Sequence, residues 1–108
     1  MEKIIILKQW FADNKDINNV ITVTIKRETE KAYQVFINDL SVIEWIPKSV
    51  IEKIVEKDEV MNIIRNLGEK KANKVLTYIA THKHLFDFNA NANKEEQMIR
   101  AMKRVNVI

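Results

Sequence analysis

Cysteine is absent from the 108 residues, which removes disulfides, thiolate metal sites and cysteine nucleophiles at once. Glycine occurs once, at Gly68, and proline once, at Pro47. A single glycine cannot build a phosphate-cradling loop, a dinucleotide fingerprint or a glycine-flanked nucleophile elbow. Serine is limited to Ser41 and Ser49, and histidine to His82 and His84, so hydrolytic triads have few members to draw on. Long apolar runs are missing too. The longest, Ile4-Ile5-Ile6-Leu7, is far short of the roughly 20 residues of a membrane span. It is also too short for the core of a signal peptide, and no small-residue cleavage site follows it. These absences set the expectation of a cytoplasmic protein with no membrane segment, no cofactor, no metal and no catalytic residues.

What is present is an ordinary globular composition: 46% hydrophobic and 31% charged residues, enough to close a core and keep it soluble. The length predicts one domain over residues 1–108. The net charge of +3 is unevenly spread. Residues 1–57 balance nine Lys/Arg against nine Asp/Glu, whereas residues 58–108 carry nine Lys/Arg against six Asp/Glu. A basic second half favours nucleic acid or an acidic protein surface, although a solvated helical surface accounts for so small an excess equally well.

The pattern along the chain predicts strands first and helices after. Ile4–Leu7 suits a buried strand leading into a short helical turn, closed by the polar loop Asp13-Asn14-Lys15-Asp16. From Val20 the period is two: Ile21, Val23 and Ile25 share one face, and Thr22, Thr24 and Lys26 the other. A charged turn at Glu28–Glu30 precedes a second alternating run, in which Tyr33, Val35 and Ile37 share a face. Asn38-Asp39 supplies a turn, and Val42–Ile46 a further strand that Pro47 stops by removing a ladder donor. Successive short connections make this an antiparallel meander.

Beyond Pro47 the spacing turns helical. Ser49 and Glu52 fit a capping box before Val50, Ile51, Ile54 and Val55. In barrel-like modules the chain after such a turn also returns as a strand, which is the alternative for residues 50–55. Asp58 offers a cap for a second helix bearing Val60, Ile63, Ile64 and Leu67, and Gly68 a C′ residue for it. Ala72, Val75, Leu76, Ile79 and Ala80 form the stripe of the next helix. After a loop-like stretch from Phe86 to Asn93, with Asn93 and Glu96 as a capping pair, a last helix runs to about Arg104. The expected fold is α+β: a meander of three to four strands over residues 1–48, then a bundle of three to four short helices over residues 49–108.

Two segments, Arg27-Glu28-Thr29-Glu30-Lys31-Ala32 and Trp45-Ile46-Pro47-Lys48-Ser49, resemble a hairpin signature of small phage and mobile-element proteins. The resemblance spans residues 20–51 and carries no catalytic residue. It implies a bacterial or archaeal host and an anti-defence role, the anti-CRISPR proteins being the best-known class of this size. Many of those are acidic mimics of nucleic acid. A basic chain fits an occluding or allosteric inhibitor better, with a host defence effector protein or ribonucleoprotein as partner.

Candidate contact residues follow from side-chain type. Tyr33, Trp45 and Lys48 surround the hairpin, and an exposed Trp beside a Pro turn serves as a protein-binding anchor, although such a Trp more often packs into the core. Lys70, Lys71 and Lys74 fall within about a third of a helix circumference. Arg100, Lys103 and Arg104 occupy the polar side of the last helix. These six cations suit DNA or RNA phosphates, and equally a solvated helix surface. Glu28 and Glu30 read as a solvated turn. His82 and His84, two residues apart on a helix, diverge too far to share one ion. The strand edges of a small meander also allow pairing into a homodimer.

Overall fold

The computed structural model describes residues 2–86 and 94–108. It contains strands β1 (Glu2–Leu7), β2 (Val20–Glu28), β3 (Ala32–Ile37), β4 (Val42–Pro47) and β5 (Ile51–Glu56), with helix α1 (Gln9–Lys15) between β1 and β2. Helices α2 (Val60–Asn66), α3 (Glu69–Thr81) and α4 (Lys94–Arg104) follow. The fold is α+β as expected, with one strand more than the meander predicted. Two compact units divide at Lys57/Asp58. The expected capping pair Asn93–Glu96 and most of the loop before it lie outside the described residues.

The first unit is a single antiparallel sheet in the order β4-β3-β2-β1-β5. Its edges are β4 and β5, yet only a three-residue 3-10 turn, Lys48–Val50, joins them. The edges of a flat five-stranded sheet stand roughly 19 Å apart, four spacings of about 4.8 Å. Three residues of 3-10 helix rise only about 6 Å, so the sheet has to roll to bring one end of β4 to β5. Register shifts at Ile6/Leu7 and between Ile25 and Arg27 add the local bending that such a roll needs.

The concave face holds the core: Ile5, Leu7, Ile21, Val23, Val35, Ile37, Ile46 and Val50, capped by Phe11 of α1. Ile4, Ile6, Val20, Thr22 and Val55 are buried on the opposite face, which explains the unbroken apolar run of β1. Asp16 ends α1 in the left-handed conformation (φ 56°), and its N–H donates to the carbonyls of Ala12 and Asp13. The link then turns through Ile17, whose N–H also donates to Ala12.

In this region the helical reading of residues 50–55 gives way to its strand alternative, and two expected helix caps are absent. Val50–Val55 is no helix: residues 51–56 form β5, paired along β1 with Ile4 opposite Val55 and Ile5 opposite Ile54. Buried β1 needs hydrogen-bond partners on both sides, and β5 supplies the second. The β-rich part therefore extends past residue 48 to Lys57. Ser49 lies inside the 3-10 turn and caps no helix. Asp58 lies in a 3-10 turn of its own (Lys57–Glu59), and α2 begins after Glu59 without a side-chain cap.

In the second unit, α4 packs against α2 and α3, with Val60, Val75, Ile99, Ala101 and Met102 buried. Leu76, expected on the apolar stripe of α3, is instead 57% exposed. Glu96 and Gln97 are buried on α4, where Glu96 pairs with Arg100 one turn on. Gly68 separates α2 from α3 at φ 83°, ψ 163°, a region that residues with a Cβ seldom enter. Space is not the constraint, since a Cβ there would meet nothing within 4 Å. Gly68→Ala should therefore cost about 1–3 kcal/mol through backbone strain alone. A thermal melt checks this, and an unchanged midpoint would contradict it.

Candidate functional site

The two resembling segments meet in space. Ala32 stands opposite Pro47 and Gln34 opposite Trp45 in the β3–β4 ladder. Beyond the ladder, the Lys48 N–H donates to the Lys31 carbonyl at 2.8 Å. At the hairpin tip, the Thr29 hydroxyl accepts from the Ala32 N–H at 3.0 Å and fixes the turn. The Lys48 ammonium reaches back to Glu28 at 2.5 Å and lies 4.9 Å from the centre of the Tyr33 ring. Glu28, Tyr33 and Lys48 thus tie the tip of one hairpin to the end of the next strand.

That arrangement holds the Lys48 pKa above its ordinary value of 10.5. The hydrogen bond to Glu28 is the main cause, opposed by partial desolvation and helped by the charges of Glu28, Tyr33 and Glu30. A raised lysine pKa adds stability that is complete below 10.5 and fades as pH rises through the folded value. Glu28→Gln should lower the Lys48 pKa, which a side-chain NMR titration reads directly. It should also flatten the loss of stability at alkaline pH. No change in the titration would remove Glu28 as the cause.

Lys48 also fixes the parity of the β3–β4 ladder. With Lys48 bonded to Lys31, the pairs Ile46/Tyr33, Glu44/Val35 and Val42/Ile37 exchange hydrogen bonds. The N–H and C=O groups of Ile43 and Trp45 consequently point away from β3, along the open edge of the sheet. The side chains on that edge are unusually apolar. Leu40, Val42, Ile43 and Trp45 are all exposed, Ile43 by 57% and Trp45 by 45%. The other edge differs: β5 presents Glu52 and Lys53 beside Ile54, and such charges block unwanted strand pairing.

Beside β4 the rolled sheet leaves a cleft of about 170 Å³. Phe11, Ile37 and Ile46 are buried core residues and line its floor. Leu40, Val42, Glu44 and Trp45 line it from the β4 side, and Lys15, Asp16 and Ile17 from the α1–β2 link. The size limits the occupant. An apolar cavity of about 150 Å³ takes one benzene ring, whereas cofactor and drug-sized sites run to roughly 300–1,000 Å³. The cleft fits one large apolar side chain. Its rim carries one cation, Lys15, against two carboxylates, Asp16 and Glu44.

Among the residues expected to make contacts, Tyr33 and Lys48 come together at the hairpin tip. Trp45 lies on the opposite face of the sheet from Tyr33, since Ile46 is the partner of Tyr33. Lys70, Lys71 and Lys74 are exposed on α3, and Arg104 is exposed at the end of α4. Lys103 is half-buried. Arg100 is half-buried as well, with its guanidinium bonded to Glu96, so it offers phosphates less than an open cation does. His82 stacks on Tyr78 with ring centres 4.1 Å apart, and among the described residues no group of three metal-ligating side chains converges. Sequence reasoning missed Leu40, Val42, Ile43 and Glu44. The available signal was Val42-Ile43, two adjacent apolar residues that point to opposite faces of the strand, so that a sheet covered on one face only leaves one of them exposed.

No described helix is long and apolar enough to cross a membrane. No protein-family profile, curated protein or solved structure matches the chain.

Proposed function

We propose that this chain works by binding a partner protein through the β4 edge and its cleft, without catalysis. One observation carries the reading: edge strand β4 leaves Ile43 and Trp45 exposed on its outer face, and Val42 with Leu40 exposed at an apolar-floored cleft on the other. Clustered exposed apolar side chains of this kind mark interaction surfaces in soluble proteins, and a Trp beside a pocket is a common energetic anchor. The resemblance of the hairpin to phage and mobile-element proteins supplies the setting: an anti-CRISPR-like inhibitor of a host defence complex that targets nucleic acid. The partner is then an effector protein or ribonucleoprotein of a bacterial or archaeal cytoplasm.

A second reading, a basic accessory protein bound to DNA or RNA, draws on the exposure of Lys70, Lys71 and Lys74 on one helix. Capture of partners by the tagged chain from lysate, with and without nuclease, separates the two. A discrete protein that survives nuclease supports the inhibitor. Recovery of nucleic acid alone, lost on nuclease treatment, supports the accessory protein. In that second case, replacing the three lysines with Ala should reduce the slope of log affinity against log salt by about 2–3. An unchanged slope would dismiss these lysines as phosphate contacts.

A further inference from the structure

Strand β4 has the properties of an edge that accepts another strand. Its outward N–H and C=O groups, at Ile43 and Trp45, stand in the pattern that an extended backbone can pair with. Its concave side chains, Val42 and Glu44, border a cleft sized for one side chain. Side chains of an added strand on that same face would project over the cleft. The rim around them is more acidic than basic, with Asp16 and Glu44 against Lys15.

A second copy of this chain fits the edge poorly. The antiparallel register that uses Ile43 and Trp45 on both copies sets Glu44 directly opposite Glu44, and like charges in that position are destabilising. Centring the pair on Ile43 instead draws in Ser41, which is a turn residue at φ 53°. Centring it on Trp45 draws in Pro47, which has no N–H to donate. Each self-pairing loses either charge balance or hydrogen bonds.

We propose that β4 is completed by an extended segment of a different protein, added as a sixth strand. That segment places one aliphatic or aromatic side chain in the cleft and a Lys or Arg beside it, facing Glu44 and Asp16. The proposal rests on the binding reading above and specifies its mode. Apolar residues at spacing two along the segment would cover Ile43 and Trp45 on the outer face, and the residues between them would face the cleft.

The test is selection of random linear peptides of roughly ten residues, displayed on a carrier, against the full chain. Enriched peptides should show apolar residues at spacing two with a neighbouring Lys or Arg. N-methylation along one backbone edge of an enriched peptide should weaken binding by about tenfold or more, as should Ile43→Lys in the protein. Glu44→Lys should shift the selection from basic towards acidic neighbours. Enrichment of peptides with helical spacing, or binding indifferent to both N-methylation and Ile43→Lys, would overturn strand addition. So would a failure to enrich any peptide. A wild-type dimer in sedimentation that Ile43→Lys dissociates would hand the edge to a second copy and overturn it too. A nuclease-resistant partner captured equally by Ile43→Lys would leave the binding reading standing and remove its proposed mode. Peptide enrichment without any cellular protein partner would do the reverse.

Discussion

Ile43→Lys should weaken capture of the protein partner by about 30-fold or more, the loss expected when a binding hot spot worth about 2 kcal/mol is removed. Its effect on folding should be small. Ile43 is more than half exposed and lies opposite Phe36 on the outer face of an edge strand. Surface substitutions in such places usually change stability by no more than about 0.5 kcal/mol. Lysine is also the residue that natural edge strands use to resist pairing. A variant that keeps its melting point and loses its partner separates recognition from folding. One that loses neither would move the binding surface off β4.

The second large effect belongs to the floor beneath that edge. Ile46→Ala should cost about 2–5 kcal/mol, because Ile46 is 1% exposed and packs in the core of the sheet. Domains have only about 5–15 kcal/mol in total, so thermal melting should fall by on the order of 10 °C or more. Ile46 also lines the cleft. A second variant therefore separates packing from recognition. Ile46→Val should cost only about 0.5–1.5 kcal/mol and should retain the partner. A melting point unmoved by Ile46→Ala would contradict the packing described for the core.

The meander was legible because its period is unambiguous. Val23, Val35 and Ile37 alternate with polar or half-buried neighbours, and they are the residues that pack together. Residues 50–55 were not legible locally. Val50, Ile51, Ile54 and Val55 match a helical spacing, and Ser49 with Glu52 matches a cap. The sheet overrides both, because β1 is buried and would otherwise lose its hydrogen bonds on one side. The deciding partner lies far away in sequence, where no window over residues 50–55 detects it. The helices show the same limit. Leu76 fits the stripe of α3 and is exposed, while Glu96, with the look of a capping residue, is buried beside Arg100.

The site was visible only in pieces. Trp45 and Lys48 stand out in the sequence for their residue type and for their place beside Pro47. The cleft does not stand out, because it exists only after the sheet rolls and sets Lys15, Asp16 and Ile17 against residues 40–46. Nor does a sequence show that Ile43 and Trp45 direct their backbone groups outward. That follows from the register, which the Lys48–Lys31 hydrogen bond fixes.

Partner binding along β4 is a claim about backbone hydrogen bonds. Amide hydrogen exchange tests it most directly, read residue by residue on the free chain and on the chain with its captured partner. The N–H groups of Ile43 and Trp45 should exchange freely alone and become protected in the complex, while those of Val42, Glu44 and Ile46, already bonded to β3, change much less. Unaltered exchange at Ile43 and Trp45, with protection appearing instead along α3 around Lys70–Lys74, would contradict the claim.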